Sequence, residues 1–339
     1  MKHGGINVQE KIRENKYLSP DNTSCLKGVF AVFVLIHHLY QYSGLLHNSP
    51  LGMIFQALGY LSVGMFFFYT GYGMMCSKNK EGYVRTIGKK RILPLYIFYL
   101  FLILLYSLWQ IVLQYQITPS LLLQSFFFGK TIVPLGWYLQ VTFVIYLILW
   151  VVFSLVKNDK KSLLVTGIAL LVYCFICNFI GLSTTWYESI FCVLLGMTWA
   201  VYKDSIDRNI IKNKWMVFII TGFTFVVFLA GAKVSPILQT EVKMISAVAF
   251  AVFVTVATIV LPRVLYNNPV TKILGKYSLE IYVCQGFFLL LRKEGRIYID
   301  NPYVFIGIVV IGTAILAVLM KPVYGKITKM VKNKETKEG

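Results

Sequence analysis

The sequence predicts an all-α, polytopic membrane protein with about ten transmembrane helices. Three observations carry that expectation. Of 339 residues, 57% are hydrophobic and only 14% are charged, where soluble domains hold roughly 25%, and the mean hydropathy is +0.68. Apolar stretches of about 20 residues, the length that crosses a hydrocarbon core, recur along the chain. The Lys and Arg residues behind a formal net charge of +19 fall in short blocks between those stretches instead of on one basic face, which speaks for membrane topology and against nucleic acid as a partner.

Taken in order, the predicted spans are residues 25–43, 51–76, 92–113, 135–156, 162–181, 186–202, 215–232, 242–262, 270–291 and 303–321. Hydrocarbon offers no partner to an open peptide group, so each is expected to be a helix. The apolar run from Pro119 to Gly129 is too short to cross and reads as a re-entrant or interfacial piece. The first 23 residues are polar and end in Ser19-Pro20-Asp21-Asn22-Thr23; no cleavable signal peptide is expected there, and the first apolar segment serves as the insertion signal. The chain therefore divides into a cytoplasmic segment 1–23, a membrane domain 24–322 and a basic cytoplasmic tail 323–339, with no internal repeat and no separate soluble domain.

Orientation follows from the cations. Lys2, Lys11, Arg13 and Lys16 precede the first span, while residues 44–50 carry no Lys or Arg, which puts the amino terminus inside a cell membrane. The blocks Lys78 to Arg91, Lys157 to Lys161, Lys203 to Lys214 and Arg263 to Lys276 then fall inside, as does the tail from Lys321 to Lys337. Arg292, Lys293 and Arg296 break the pattern by facing outward, either to line an entrance for an anionic acceptor or because the rule tolerates exceptions. The six cysteines lie in or near spans and read as packing residues; no metal set accompanies Cys174 and Cys177.

Polar groups inside spans are costly and so mark candidate sites. Lys27 and His38 are separated by 11 residues, about three helical turns plus 20°, and share one stripe of the first span. The interval of roughly 16 Å puts His38 near mid-membrane. A neutral imidazole there, with an ordinary pKa of about 6.5, can take a proton from a hydroxyl; alternatively, His37 and His38 are polar glue between helices. Lys89-Lys90-Arg91 before Pro94 is either a positive-inside anchor or a clamp for donor phosphates, for which Arg91 supplies a planar fork. Trp137 opens the fourth span as an interfacial aromatic or a substrate contact. In the ninth, Glu280 is the most deeply placed acid, with Tyr282 and Gln285 following; a buried carboxylate needs a partner, for which Lys27 and Arg91 are the nearest cations in depth.

Together these residues resemble the membrane-bound acyltransferase-3 family. Four landmarks match in order: Lys27 and His38 within LKGVFAVFVLIHH; FFFYTGY, with Thr70 in the place of a serine; Arg91-Ile92-Leu93-Pro94; and Ser278 with Tyr282. Trp137-Tyr138-Leu139 and Leu195-Gly196-Met197 are weaker echoes, and the landmarks run from residue 24 to about 290. Three positions depart from the family's pattern: Ser24 where an aspartate is common, Gly88 where some members place an arginine, and Gln285 where a histidine is common.

The resemblance implies an O-acyltransferase that moves an acyl group, expected to be acetyl, from cytosolic acyl-coenzyme A to a hydroxyl of a cell-surface polysaccharide or related glycan. It implies that His38 acts within a pore during the transfer; the site expected around it has His38 as catalytic base with Glu280, Lys27, Lys90 and Arg91 at the donor, and His37, Trp137, Tyr282 and Gln285 at the acceptor. The expected partners are a carbohydrate acceptor and the lipid bilayer; no metal is called for. A transporter or flippase for a polar lipid or sugar is the alternative, against which stands the lack of an inverted repeat. The sequence leaves the oligomeric state open.

Overall fold

The computed structural model describes residues 17–47, 49–127, 129–234, 238–293 and 295–338. Lys2, Lys11, Arg13 and Lys16, which orient the amino terminus in the sequence argument, lie outside the described residues. The helices, in chain order, are α1 Pro20–Ser43, α2 Pro50–Ser77, α3 Tyr83–Val112, α4 Pro119–Phe126, α5 Trp137–Leu155, α6 Asp159–Phe179, α7 Phe191–Lys212, α8 Lys214–Val234, α9 Gln239–Val260, α10 Pro269–Lys276, α11 Ser278–Leu289 and α12 Pro302–Glu338. No strand is present among them.

Local chemistry starts these helices in a recurring way. A short polar residue followed by proline begins α1, α2, α4, α10 and α12. Ser19, Ser49, Thr118 and Asn268 each accept a backbone N–H of the first turn, from Asn22, Gly52, Leu121 and Thr271 respectively; Asn301 accepts from Tyr303 and Val304. The proline's missing N–H costs nothing at a position that lacks an intrahelical acceptor anyway. Within α3 a π-helical turn spans Gly88–Ile92, with the Leu93 N–H reaching back to the Gly88 carbonyl. Pro94 follows immediately and brings no N–H to the ladder, and the wider turn projects Lys89, Lys90 and Arg91 at the helix mouth.

Nine helices among the described residues are long and apolar enough to span a membrane. The sequence expectation of about ten differs at residues 270–291, where α10 and α11 are separate pieces joined at Tyr277 (φ −110°, ψ 11°). Close packing accompanies the break. A Cβ on Gly275 would lie 2.4 Å from the Ser24 carbonyl oxygen and one on Gly28 2.3 Å from the Gly275 nitrogen, so α1 and α10 touch backbone to backbone. Ser24 and Gly28 of α1 thus cover one side of the break, while Val270, Ile273 and Lys276 of α10 are exposed. The expected short piece after Pro119 is α4, and the expected tail boundary falls inside α12, where Pro322 sits.

The middle of the bundle is α2, whose residues from Leu61 to Tyr69 are all buried. A helix apolar on every side belongs in an interior, and α2 meets α1, α7 and α9 there. Gly71 against the Val193 carbonyl and Gly196 against that of Phe68 let α2 and α7 approach closely, whereas Gly73 faces open space and contributes nothing to packing. Outward apolar faces are found on the peripheral helices: Phe175 and Phe179 of α6 are 70% and 80% exposed, and Ile219 and Phe223 of α8 are similarly bare. Surfaces of this kind suit lipid rather than water. The cysteines are free, with Cys25, Cys177, Cys192 and Cys284 buried.

Because successive spans alternate in direction, the loops around residues 78–82, 156–158, 213 and 261–268 share one end of the bundle, the basic end. There Lys78, counted from sequence as a loop cation, is buried and donates to the Lys157 carbonyl, Asp159 and Ser162 at 2.7, 2.9 and 2.9 Å. Its charge ties the end of α2 to the α5–α6 turn.

Candidate active site

Among the described residues, two cavities of the bundle meet at Tyr282, one on either side of it. Toward the basic end a cavity of about 250 Å³ is lined by Lys27, Thr70, Lys90, Arg91, Tyr138 and Tyr282 among others. It shares Lys90, Arg91 and Tyr324 with a wider vestibule of about 740 Å³ whose rim adds Lys80, Tyr83 and Thr328. Toward the opposite end a cavity of about 130 Å³ is lined by His37, His38, Gln41, Trp137, Glu188 and Tyr282 among others. Tyr282 is the wall residue common to the 250 and 130 Å³ cavities.

The partition is aromatic and held from several sides. The Tyr282 ring lies 4.7 Å from that of Tyr138, and the Tyr282 hydroxyl donates to the Leu135 carbonyl at 3.0 Å. Leu135 has φ +65°, an uncommon conformation for a residue with a side chain, and belongs to the loop before α5. That loop is pinned by polar groups: Tyr99 donates to Thr131, Gln140 donates to Tyr99 and accepts from Gly129, and the Ile132 N–H donates to Ser125. Trp137 and Tyr138, neighbours on the first turn of α5, point to different sides, Trp137 into the His38 cavity and Tyr138 into the Arg91 cavity.

His38 is buried, and its Nδ1 lies 3.2 Å from Gln285 Oε1. The amide nitrogen of Gln285 donates to the Tyr282 carbonyl at 3.0 Å. A carbonyl only accepts, so this contact decides which way the Gln285 amide faces; its oxygen, again only an acceptor, then requires the proton on His38 Nδ1. Nε2 is left with a lone pair. His37 donates from Nδ1 to the Phe55 carbonyl at 3.1 Å, and its ring packs 5.0 Å from that of His38. Gly59 makes room for it, since a Cβ there would fall 2.6 Å from the imidazole.

The remaining expected residues separate. Lys27 stands in the Arg91 cavity with its Nζ 5.9 Å from the centre of the Tyr69 ring. Gln285 is fully buried behind His38 and lines neither cavity. Glu280 is also fully buried and lines neither; its partner is Lys321 of α12, at 3.2 Å, and not Lys27 or Arg91. Two residues along a helix turn the side chain by about 200°, which points Glu280 away from the face that carries Tyr282. Arg292 is committed to closing its own loop: it donates to the carbonyls of Tyr42, Ile299 and Asp300 and lies over the rings of Tyr298 and Phe305.

Sequence reasoning did not single out Gln41, Glu188, Lys243 or Gly59. Gln41 was within reach, because it falls three residues after His38 and continues the same stripe. Glu188, in the turn before α7, and Lys243 of α9 pair at 3.6 Å, a relation that no local period reveals.

An acyltransferase domain of the acyltransferase-3 type matches residues 22–321. The chain belongs to this family of membrane acyltransferases, and transfers groups other than aminoacyl groups. No match to the chain is found among curated proteins or among solved structures.

Proposed function

We propose that the protein moves an acetyl group from cytosolic acyl-coenzyme A to a hydroxyl of a cell-surface glycan, with the donor in the Arg91 cavity and the acceptor in the His38 cavity. The observation that carries this reading is the pair of cavities that meet at Tyr282, one with a cationic wall and the other with an imidazole. Lys27, Lys90 and Arg91 would hold the donor's phosphates, Arg91 through a bidentate fork. Tyr282 marks where thioester and hydroxyl meet.

His38 Nε2 is the base in this scheme. The acceptor oxygen bonds to the thioester carbonyl carbon as its proton passes to Nε2; the carbon–sulfur bond then breaks, and the imidazolium returns that proton to the departing thiolate. The ring ends neutral and the products are ester and free thiol. Gln285 holds the ring in the Nδ1–H form, and Glu280 enters as a positioning group that ties α11 to α12 through Lys321. His37 and Trp137 contribute to the acceptor wall. On this orientation both termini and the basic end face the cytoplasm of a cell membrane.

The test is purified protein in lipid nanodiscs with radiolabelled acetyl-coenzyme A and a glycan acceptor. Label on the glycan with equimolar thiol release is expected from the wild type, and His38→Ala, folded to the same extent, should lose it. Full activity in that variant would remove His38 from the chemistry, and substrate counterflow without thiol release would make the protein a transporter.

A further inference from the structure

The His38 cavity carries a charged pair that the transfer chemistry does not use. Glu188, buried on the segment leading into α7, faces Lys243 of α9 with Oε2 3.6 Å from Nζ. Its other described contact, the Thr184 hydroxyl at 3.5 Å, falls on the same oxygen. A carboxylate has about four lone-pair sites, so Oε1 keeps its accepting capacity beside a cavity that Glu188 lines.

The neighbouring groups narrow the choice. Both histidine Nδ1 atoms are engaged, His37 with Phe55 and His38 with Gln285, and Lys243 is already balanced by Glu188, so among the described residues the walls offer no free cation to an anion. Gln41 and Gln56 add neutral donors and acceptors, while Trp137 supplies an apolar aromatic surface. The size also sets a limit, since about 130 Å³ is close to the roughly 150 Å³ of a protein cavity that takes one benzene ring.

We infer that this cavity is an acceptor subsite for a single neutral sugar ring, with Glu188 accepting a hydrogen bond from a ring hydroxyl and Lys243 paired with that carboxylate. The inference rests on the acyl-transfer reading for its biological sense, but not for its measurement. A neutral ring lays its C–H face on Trp137 and gives hydroxyls to Glu188 and the two glutamines, which leaves another hydroxyl for His38. A uronate or phosphorylated sugar would bring a second anion against Glu188 and be disfavoured.

The experiment measures binding and turnover separately in nanodiscs. Binding of methyl glucoside, methyl galactoside and their uronate counterparts is followed by tryptophan fluorescence or calorimetry, and acetyl-coenzyme A hydrolysis is followed by thiol release without acceptor. The expected result is neutral glycoside binding that weakens about tenfold in Glu188→Gln, as for loss of one charge-assisted hydrogen bond. Preference for the uronates, equal binding by wild type and Glu188→Gln, or no binding of either neutral glycoside would each overturn the proposal. Lys243→Met provides a second arm and should weaken the same binding, whereas an unaltered affinity would remove Lys243 from it. Loss of thiol release in the wild type would instead count against the acyl-transfer reading and leave the binding result standing.

Discussion

The Tyr282 hydroxyl donates to the Leu135 carbonyl at 3.0 Å, so the side chain that divides the two cavities is latched to a loop whose backbone at Leu135 sits at φ +65°. With the thioester donor proposed above, such a latch matters because water reaching the bound thioester would compete with the acceptor. Keeping water out while admitting a hydroxyl is a common demand on transfer enzymes.

Tyr282→Phe keeps the ring and deletes the latch. Acetyl-coenzyme A hydrolysis without acceptor should rise, and the ratio of transfer to hydrolysis should fall about threefold or more, in keeping with the roughly 1 kcal/mol of one neutral hydrogen bond. Thiol release with and without glycan measures it, and an unchanged ratio would dismiss Tyr282 as a barrier.

Gln285 acts on His38 alone in this scheme. Gln285→Leu removes the acceptor from Nδ1–H and frees the ring to adopt the wrong tautomer or orientation, so kcat should fall by about 100-fold, within the span expected for general-base catalysis. The KM for donor should hardly move. Gln285→Glu, which restores an oxygen toward Nδ1, should recover part of the loss; equal defects in the two variants would indicate a packing role only.

Arg91→Ala should raise the donor's KM about tenfold, the cost of one charge-assisted pair, with kcat largely kept. The wild-type KM should also climb with ionic strength, because the vestibule is open to solvent and its charges are screened. A defect confined to kcat would contradict the phosphate role.

Lys78→Met tests the basic end without touching either cavity. It removes the donor that Asp159, Ser162 and the Lys157 carbonyl share, leaving Asp159 with Asn79 and Ser162 with the Val156 and Asn158 carbonyls, at a cost of about 1 kcal/mol. A lower apparent melting temperature with unchanged activity per folded molecule is expected, and an unaltered melting temperature would show those groups content with water.

Much of the architecture could be read along the chain because lipid imposes a local rule: an apolar stretch of sufficient length must satisfy its own backbone and becomes a helix. Polar residue and proline pairs such as Ser19-Pro20 and Ser49-Pro50 mark helix starts for equally local reasons. The ninth predicted span, residues 270–291, escaped this rule. Its composition is that of a continuous helix, and the break at Tyr277 sits where Gly28 and Gly275 press two backbones together, a contact between residues far apart in sequence.

The same division runs through the candidate site. The sequence by itself determined a membrane bundle with Lys27 and His38 on one stripe and a cationic block ending at Arg91, because helical period and charge placement are properties of neighbouring residues; acyl transfer was implied by the resemblance of those residues to a family. Only the tertiary structure decided that Glu280 pairs with Lys321, that Gln285 assigns the His38 proton, that Tyr282 parts two cavities, and that Glu188 meets Lys243. Each of these joins side chains on different helices, and their meeting depends on how the helices pack, which no periodicity along a single segment encodes.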